Sequence, residues 1–327
     1  MEKAFGGAQG SNEPFVLVVP QGTTDASVAD QTCWDAGDCC CNQCVAENPV
    51  ECFVNPTESS FEVVTVPDVA FLQQVIADTV AASETKIDTK RIYLAGHSNG
   101  CMMAQRFAAE MSQTVAAVCC HSGVRVDNIG DGADASSSSS YNPTPVWIVF
   151  GDEDNIVPYE GGGALGANFP SALDNLASWA EANQCTDYAV VNDTSATFAT
   201  HIYSGCAPGN TTTVEMVQIF GAGHFPYKET NIPNVAETDI DTTQLAMEFC
   251  FQYSNEAAPV LPPPTTTTTT NGDGTPPIVE NPATDTDGEP TTSPATEEPT
   301  SSAGGGGGWA AVFSILLLHV VLSISII

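Results

Sequence analysis

The pentapeptide Gly96-His97-Ser98-Asn99-Gly100 lies at an abrupt change of pattern, and it limits what this chain can fold into more than any other feature. The residues before it, Arg91-Ile-Tyr-Leu-Ala-Gly96, are apolar throughout the central stretch, as a strand covered on both faces must be. After it, Asn99–Met111 carries the spacing of a helix. A sharp strand-to-helix turn with glycine at both ends lets backbone and helix approach closely and lifts the central serine hydroxyl above the sheet edge. A serine hydroxyl is a poor nucleophile until a base takes its proton, and the imidazole that does so needs a carboxylate to orient it. The rest of the chain is therefore searched for an acid and then a histidine, in that order after Ser98.

Further strands are expected at Pro14–Pro20, Ala116–Cys120, Pro145–Gly151, Thr197–Tyr203 and Thr213–Gly221. Helices are expected over Asp68–Glu84, where Leu72, Val75, Ile76 and Val80 recur at helical spacing, and over Ser171–Asn183. Asp241-Thr-Thr-Gln244 resembles a capping box and opens a third such helix, to about Tyr253. Apolar strands alternating with helices predict an α/β fold with a mostly parallel sheet, helices on both faces and a Cys-rich insertion at 33–52. Pro14–Pro20 is expected beside strand 91–96, with its apolar edge of Phe15, Leu17 and Val19 unpartnered on one side.

Strand Pro145–Gly151 runs into Asp152-Glu153-Asp154, and any of the three carboxylates fits the acid by position. Gly221-Ala-Gly223-His224 puts a histidine on a glycine-flanked loop after the last strand-like segment. His121, at a strand end, is its rival. His97 is expected to point away from the serine, and His201 lies inside a strand.

The chain has 7 Lys+Arg against 40 Asp+Glu, a formal charge of −33, which argues against nucleic acid as a partner. Its 12 Cys include Cys33, Cys39, Cys40, Cys41, Cys44 and Cys52 in one excursion and the adjacent pair Cys119 and Cys120. Together with sequons at Asn192 and Asn210, they favour an oxidising, extracellular setting and disulfides over a zinc site at Cys41-x-x-Cys44. Residues 1–13 lack the apolar region of a signal peptide. Residues 1–254 are read as the folded domain, and 255–302, rich in Pro, Thr and Ser, as a disordered, O-glycosylated stalk. Residues 303–327 are an apolar tail. Ser301 and Ser302, the glycine run and this tail fit a GPI-attachment signal better than a membrane span, which would carry basic residues on its cytoplasmic side.

Several segments resemble the esterase/polyhydroxybutyrate-depolymerase family, which includes the feruloyl and acetylxylan esterases of the family 1 carbohydrate esterases. They are Val19-Pro-Gln-Gly22, Cys33-Trp-Asp35, Asp68-Val-Ala-Phe-Leu72, the stretch Asp88–Gly100, Gly151-Asp-Glu-Asp154-Asn-Ile-Val-Pro-Tyr159 and Gly221-Ala-Gly-His224. The resemblance implies an α/β-hydrolase fold, with Ser98 as nucleophile, Asp154 as the acid among its neighbours and His224 as the base. It also implies an oxyanion donor at the Asn99 backbone N–H, and no metal or organic cofactor. Trp34 and Tyr159 are placed as aromatics bordering the substrate. The implied substrate is a polymeric ester, of feruloyl or acetyl groups on polysaccharide. The alternatives are a polyhydroxyalkanoate or lipid ester, and a non-catalytic surface protein on a hydrolase scaffold. Members of the family begin with further strands and a His-Gly loop that supplies a second oxyanion donor, so the sequence reads as truncated at its N-terminus.

Overall fold

A computed structural model describes residues 15–24, 32–37, 43–44, 63–64, 67–83, 87–125, 141–164, 167–193, 197–206, 212–230, 235–256 and 322–326. Their centre is one eight-stranded sheet. In chain order its strands are β1 (Val16–Val18), β2 (Ile92–Gly96), β3 (Ala117–His121), β4 (Val146–Gly151), β5 (Asp187–Asn192), β6 (Phe198–Ser204), β7 (Val214–Ile219) and β8 (Leu322–Ile326). The spatial order is β1-β8-β2-β3-β4-β7-β6-β5. Strands β2, β3, β4 and β7 pair in parallel; β8 and β6 run opposite to the other six strands.

Side chains alternate across this sheet, as the two-residue period of a strand requires. Leu94, Val118, Cys120, Ile148, Phe150 and Met216 face one side. There they meet Leu72 and Ile76 of α1 (Asp68–Ala82), Met103 and Phe107 of α2 (Asn99–Glu110), and Leu176 and Trp179 of α3 (Ala172–Ala182). Tyr93, Cys119, Trp147, Val149 and Val217 face the other side, against Ala246 and Phe249 of α4 (Thr242–Cys250). Both faces are thus covered by helices, and the uniformly apolar strands expected from sequence follow from that double burial.

Local chemistry sets the helix starts. The Ser171 hydroxyl accepts the Asp174 N–H at 3.0 Å, and the Asp241 carboxylate accepts the Gln244 N–H at 2.9 Å. Only half of the capping box forms, because the Gln244 side chain turns forward to Glu248. Inside, the Gln105 side chain accepts from Trp179 Nε1 at 2.8 Å and Asn175 Nδ2 at 2.9 Å and donates to Gly123 O at 2.9 Å. This ties α2, α3 and the loop after β3 together.

Two placements differ from expectation. Segment 16–18 does not lie beside β2. Leu322–Ile326 intervenes, pairing antiparallel with both (Ile324 opposite Leu94 and Val18). The backbone groups along the open side of β2 are satisfied by this distant segment, and β1 becomes the outer edge. Strand β5 carries no apolar alternation and is exposed along its whole length, so nothing in its sequence announced it; its pairing with β6 makes it a strand. The reading of 303–327 as anchor falls outside the described residues except for β8, as do the stalk beyond Glu256, Ser301, Ser302 and Asn210, and most of the Cys-rich insertion; Asn255, read as the first stalk residue, is buried and donates to Ser112 O and Val115 O. Among the described residues no helix is long and apolar enough to cross a membrane.

The adjacent cysteines point to opposite faces of β3, so each bridges to a different layer. Cys120 joins Cys101 in α2, and Cys119 joins Cys250 in α4; Cys185 and Cys206 close a third bridge. The bridges close spans of 19 residues (101–120) and 131 residues (119–250). Loop-closure entropy then gives about 3 kcal/mol for the first and about 5 kcal/mol for the second. In urea denaturation, Cys119→Ala/Cys250→Ala is expected to lower stability more than Cys101→Ala/Cys120→Ala.

Candidate active site

Ser98 follows β2 directly and opens α2 with φ 54° and ψ −125°, a conformation costly for any residue with a Cβ. Its N–H donates to His121 O at 2.9 Å, and its carbonyl accepts from Cys101 and Met102. The turn is tight enough that a Cβ on Gly96 would lie 2.3 Å from the Gly100 carbonyl. Asn99 is the first residue of α2, so its N–H has no intrahelical acceptor and stands next to the nucleophile position.

Asp154 and His224 meet in the interior. His224 Nδ1 donates to Asp154 Oδ2 at 2.7 Å, and Asp154 Oδ1 accepts the N–H groups of Ile156 at 2.9 Å and Val157 at 3.0 Å. All carboxylate oxygens are engaged, and both residues are buried. His224 Nε2 is buried and meets no hydrogen-bond partner among the described residues. The neighbouring carboxylates do other work. Asp152 accepts Gly221 N–H at 2.6 Å and Gln218 Nε2 at 3.3 Å, clipping β7 to the start of the histidine loop. Glu153 is exposed, and its N–H donates to Ala222 O. Gly151 must be glycine because a Cβ there would lie 2.1 Å from Ala222 O.

Two other histidines hold the loop that carries His224. His97 lies against that loop. Its Nε2 lies 2.8 Å from His224 O, and the two rings are 4.7 Å apart. A carbonyl only accepts, so His97 carries its proton on Nε2. Burial, followed by the neighbouring His224, holds His97 well below the usual imidazole range. His121 is stacked on Tyr227 and lies 3.2 Å from Thr242 Oγ1, whose own proton goes to Pro226 O. His121 Nε2 is therefore also a donor, and burial pushes its pKa down to about 3. His201 is remote, on β6, bonded to Tyr188 of β5 and Gln218 of β7.

Trp34 and Tyr159 are not rim aromatics. Trp34 is 1% exposed and packs in the core against Phe71, and Tyr159 is buried against Phe150. Neither side chain is exposed enough to form the border expected of it. The Cys33-Trp-Asp35 match carries a backbone role instead: Trp34 N–H donates to Asn99 Oδ1, and Asn99 Nδ2 donates to Trp34 O. Asn192, the last residue of β5, is exposed.

A histidine buried in the neutral form binds its proton more weakly folded than unfolded. For His121 the folded value of about 3 lies below the ordinary 6.5. Stability from this source is complete above about 6.5 and declines as pH falls from there toward about 3. Glutamine at 121 keeps an N–H donor without titrating. Denaturant melts at stepped pH between 7 and 4 are expected to show a steeper loss for the wild type than for His121→Gln.

The family model described as Phospholipase/Carboxylesterase matches residues 59–189, a stretch that includes the Ser98 turn and Asp154 and ends before His224. Feruloyl esterase B of Piromyces equi is 28% identical over 162 residues, covering 48% of this chain and 28% of that protein. The chain thus aligns with less than a third of that relative's length. Sheet order and the strand-to-helix turn at Ser98 fit an α/β-hydrolase fold, and both matches bear esterase names.

Proposed function

We propose that this chain is an extracellular serine carboxylic-ester hydrolase acting through an acyl-enzyme. The observation that carries the reading is the buried Asp154–His224 pair, with Nε2 unengaged, on the same sheet edge as the strained Ser98. With Nδ1–H committed to Asp154, the lone pair of Nε2 is free to accept the Ser98 proton. Ser98 Oγ attacks the ester carbonyl, and the Asn99 N–H stabilises the developing oxyanion. Nε2–H then protonates the departing alkoxide. Water, deprotonated by the same nitrogen, releases the acyl group and regenerates Ser98.

The substrate class we favour is a feruloyl or acetyl ester on polysaccharide, in keeping with the name of the Piromyces equi relative. A lipid ester is the second reading, supported by the phospholipase wording of the matching family model. Methyl ferulate, acetylated xylan, polyhydroxybutyrate and a phospholipid, assayed side by side, separate them. Attachment of the protein to the cell surface through the tail, with a glycosylated stalk and N-glycans at Asn192 and Asn210, belongs to the same proposal. Removal of the tail at Ser301 or Ser302 would exclude β8 from the mature sheet, and the mass of the mature C-terminus decides between the two uses of that segment.

Ser98→Ala is expected to abolish ester hydrolysis with little change in melting temperature; activity within tenfold of the parent would sink the mechanism. Asp154→Asn is expected to lower the rate by roughly 10³–10⁴, as in other triads. Asp152→Asn and Glu153→Gln should cost far less. The steady-state rates of the three variants rank the carboxylates directly, and a large loss at Asp152 with none at Asp154 would reassign the acid.

A further inference from the structure

Ser98 is flanked by two buried polar side chains, and the second of them ties the nucleophile turn to a loop 65 residues away. The Asn99 amide accepts Trp34 N–H at 2.7 Å and donates to Trp34 O at 3.0 Å. A side-chain amide presents an acceptor and a donor side by side, so it pairs with a peptide unit as a neighbouring strand would. Two turns further along α2, Arg106 grips the same loop at Asp35 O, 2.7 Å, and Asp35 Oδ1, 2.9 Å. Asp35 N–H is taken by Asp68 at the start of α1, and the Trp34 ring is anchored in the core. The 33–35 backbone is thereby a fixed body pressed on the opening turn of α2.

We propose that Asn99 is a positioning residue: its side-chain amide locks residues 33–35 to the nucleophile turn and so keeps Ser98 and the Asn99 N–H in their reactive placement. The proposal rests on Ser98 being the nucleophile. A backbone held at φ 54° persists only where its surroundings over-determine it. Around Ser98 those restraints are its own N–H on His121 O, the His97 bond to His224 O, and the Asn99 clamp. Arg106 holds the loop to the helix body and not to the strained turn, so it does not substitute for Asn99. Alanine or aspartate at 99 keeps the backbone N–H, which separates the side chain's role from the oxyanion contact.

The test uses the full chain with Asn99→Ala and Asn99→Asp. Readouts are kcat and KM on a short nitrophenyl ester between pH 8 and pH 5, phosphonylation of Ser98 by a fluorophosphonate, and hydrogen exchange at the Trp34 amide. Asn99→Ala is expected to lower kcat by about 10² at nearly constant KM, the order of loss that a small misplacement of reacting groups brings. It is also expected to speed Trp34 amide exchange at least about tenfold, the order expected when one buried bond is lost. Asn99→Asp carries the sharper signature. Ionised, it offers no donor to Trp34 O; protonated, its carboxyl restores both bonds, and burial favours the protonated form. The ratio of Asn99→Asp to wild-type kcat is therefore expected to rise as pH falls, while the Asn99→Ala ratio stays flat. Asn99→Ala with kcat within twofold of wild type, or a flat Asn99→Asp ratio, overturns the proposal. Should Asn99→Ala not fold, the Asn99→Asp ratio decides alone. Wild-type Ser98 that resists phosphonylation overturns the esterase reading and the catalytic role of Asn99 with it, and the clamp is then decided by Trp34 exchange in Asn99→Asp across the same pH range.

Discussion

Four neighbouring strands, β2, β3, β4 and β7, run the same way, and the position of every reactive side chain depends on it. Parallel neighbours cannot be joined by hairpins, and all four strands leave the sheet at the same edge. Ser98 lies just beyond β2, His121 ends β3, Asp154 follows β4 and His224 follows β7. The register of β4 on β7, with Gly151 opposite Ile219, brings the acid and base loops to the same height. Asp152 N–H then reaches Ile219 O, and Glu153 N–H reaches Ala222 O, so backbone pairing continues past the strand ends and delivers Asp154 to His224. The same parallel order puts the N-terminus of α2 at Ser98, where the first N–H groups of a helix offer positive charge to an oxyanion.

Holding Ser98 in the left-handed region costs on the order of 1–3 kcal/mol. A buried hydrogen bond returns on the order of 1 kcal/mol net, and an unmade one costs more. Two bonds from Asn99, one from His97 and one from the Ser98 N–H together outweigh the strain. They come from the 33–35 loop, the histidine loop and the end of β3, which are far apart in the chain. The strained turn therefore reaches its final form only when the whole fold is assembled.

What could be read from the sequence was what is encoded locally. The apolar runs 92–96 and 146–151, the glycines around Ser98 and the cap at Asp241 each carry their own pattern, and the strands and helices lie where those patterns place them. Strand β5 escaped because all its residues are exposed and its state comes from β6. The choice among Asp152, Glu153 and Asp154 stayed open on pattern alone because it depends on which carboxylate meets the histidine ring, and which only the backbone, of a loop some 70 residues later; only the family resemblance pointed to Asp154. Leu322-Ser-Ile-Ser-Ile326 alternates like a half-buried strand, yet at the end of an apolar tail it read as part of a continuous hydrophobic stretch. Trp34 was misplaced for a related reason: a tryptophan near a motif shows nothing of which way its ring turns, and here the ring serves the core while its peptide serves the site.

Three histidines crowd the end of the sheet, and their surroundings set one of them apart. His97 faces a carbonyl and His121 a hydroxyl, both acceptors fixed by bonds elsewhere. A proton added to either ring would be an uncompensated charge in a dry interior, and both are held neutral. His224 alone among the three has a carboxylate on Nδ1 and an Nε2 with nothing committed to it. Replacing Asp154 by a neutral amide would remove that carboxylate, and under the proposed mechanism His224 would no longer be held in the tautomer that takes the Ser98 proton.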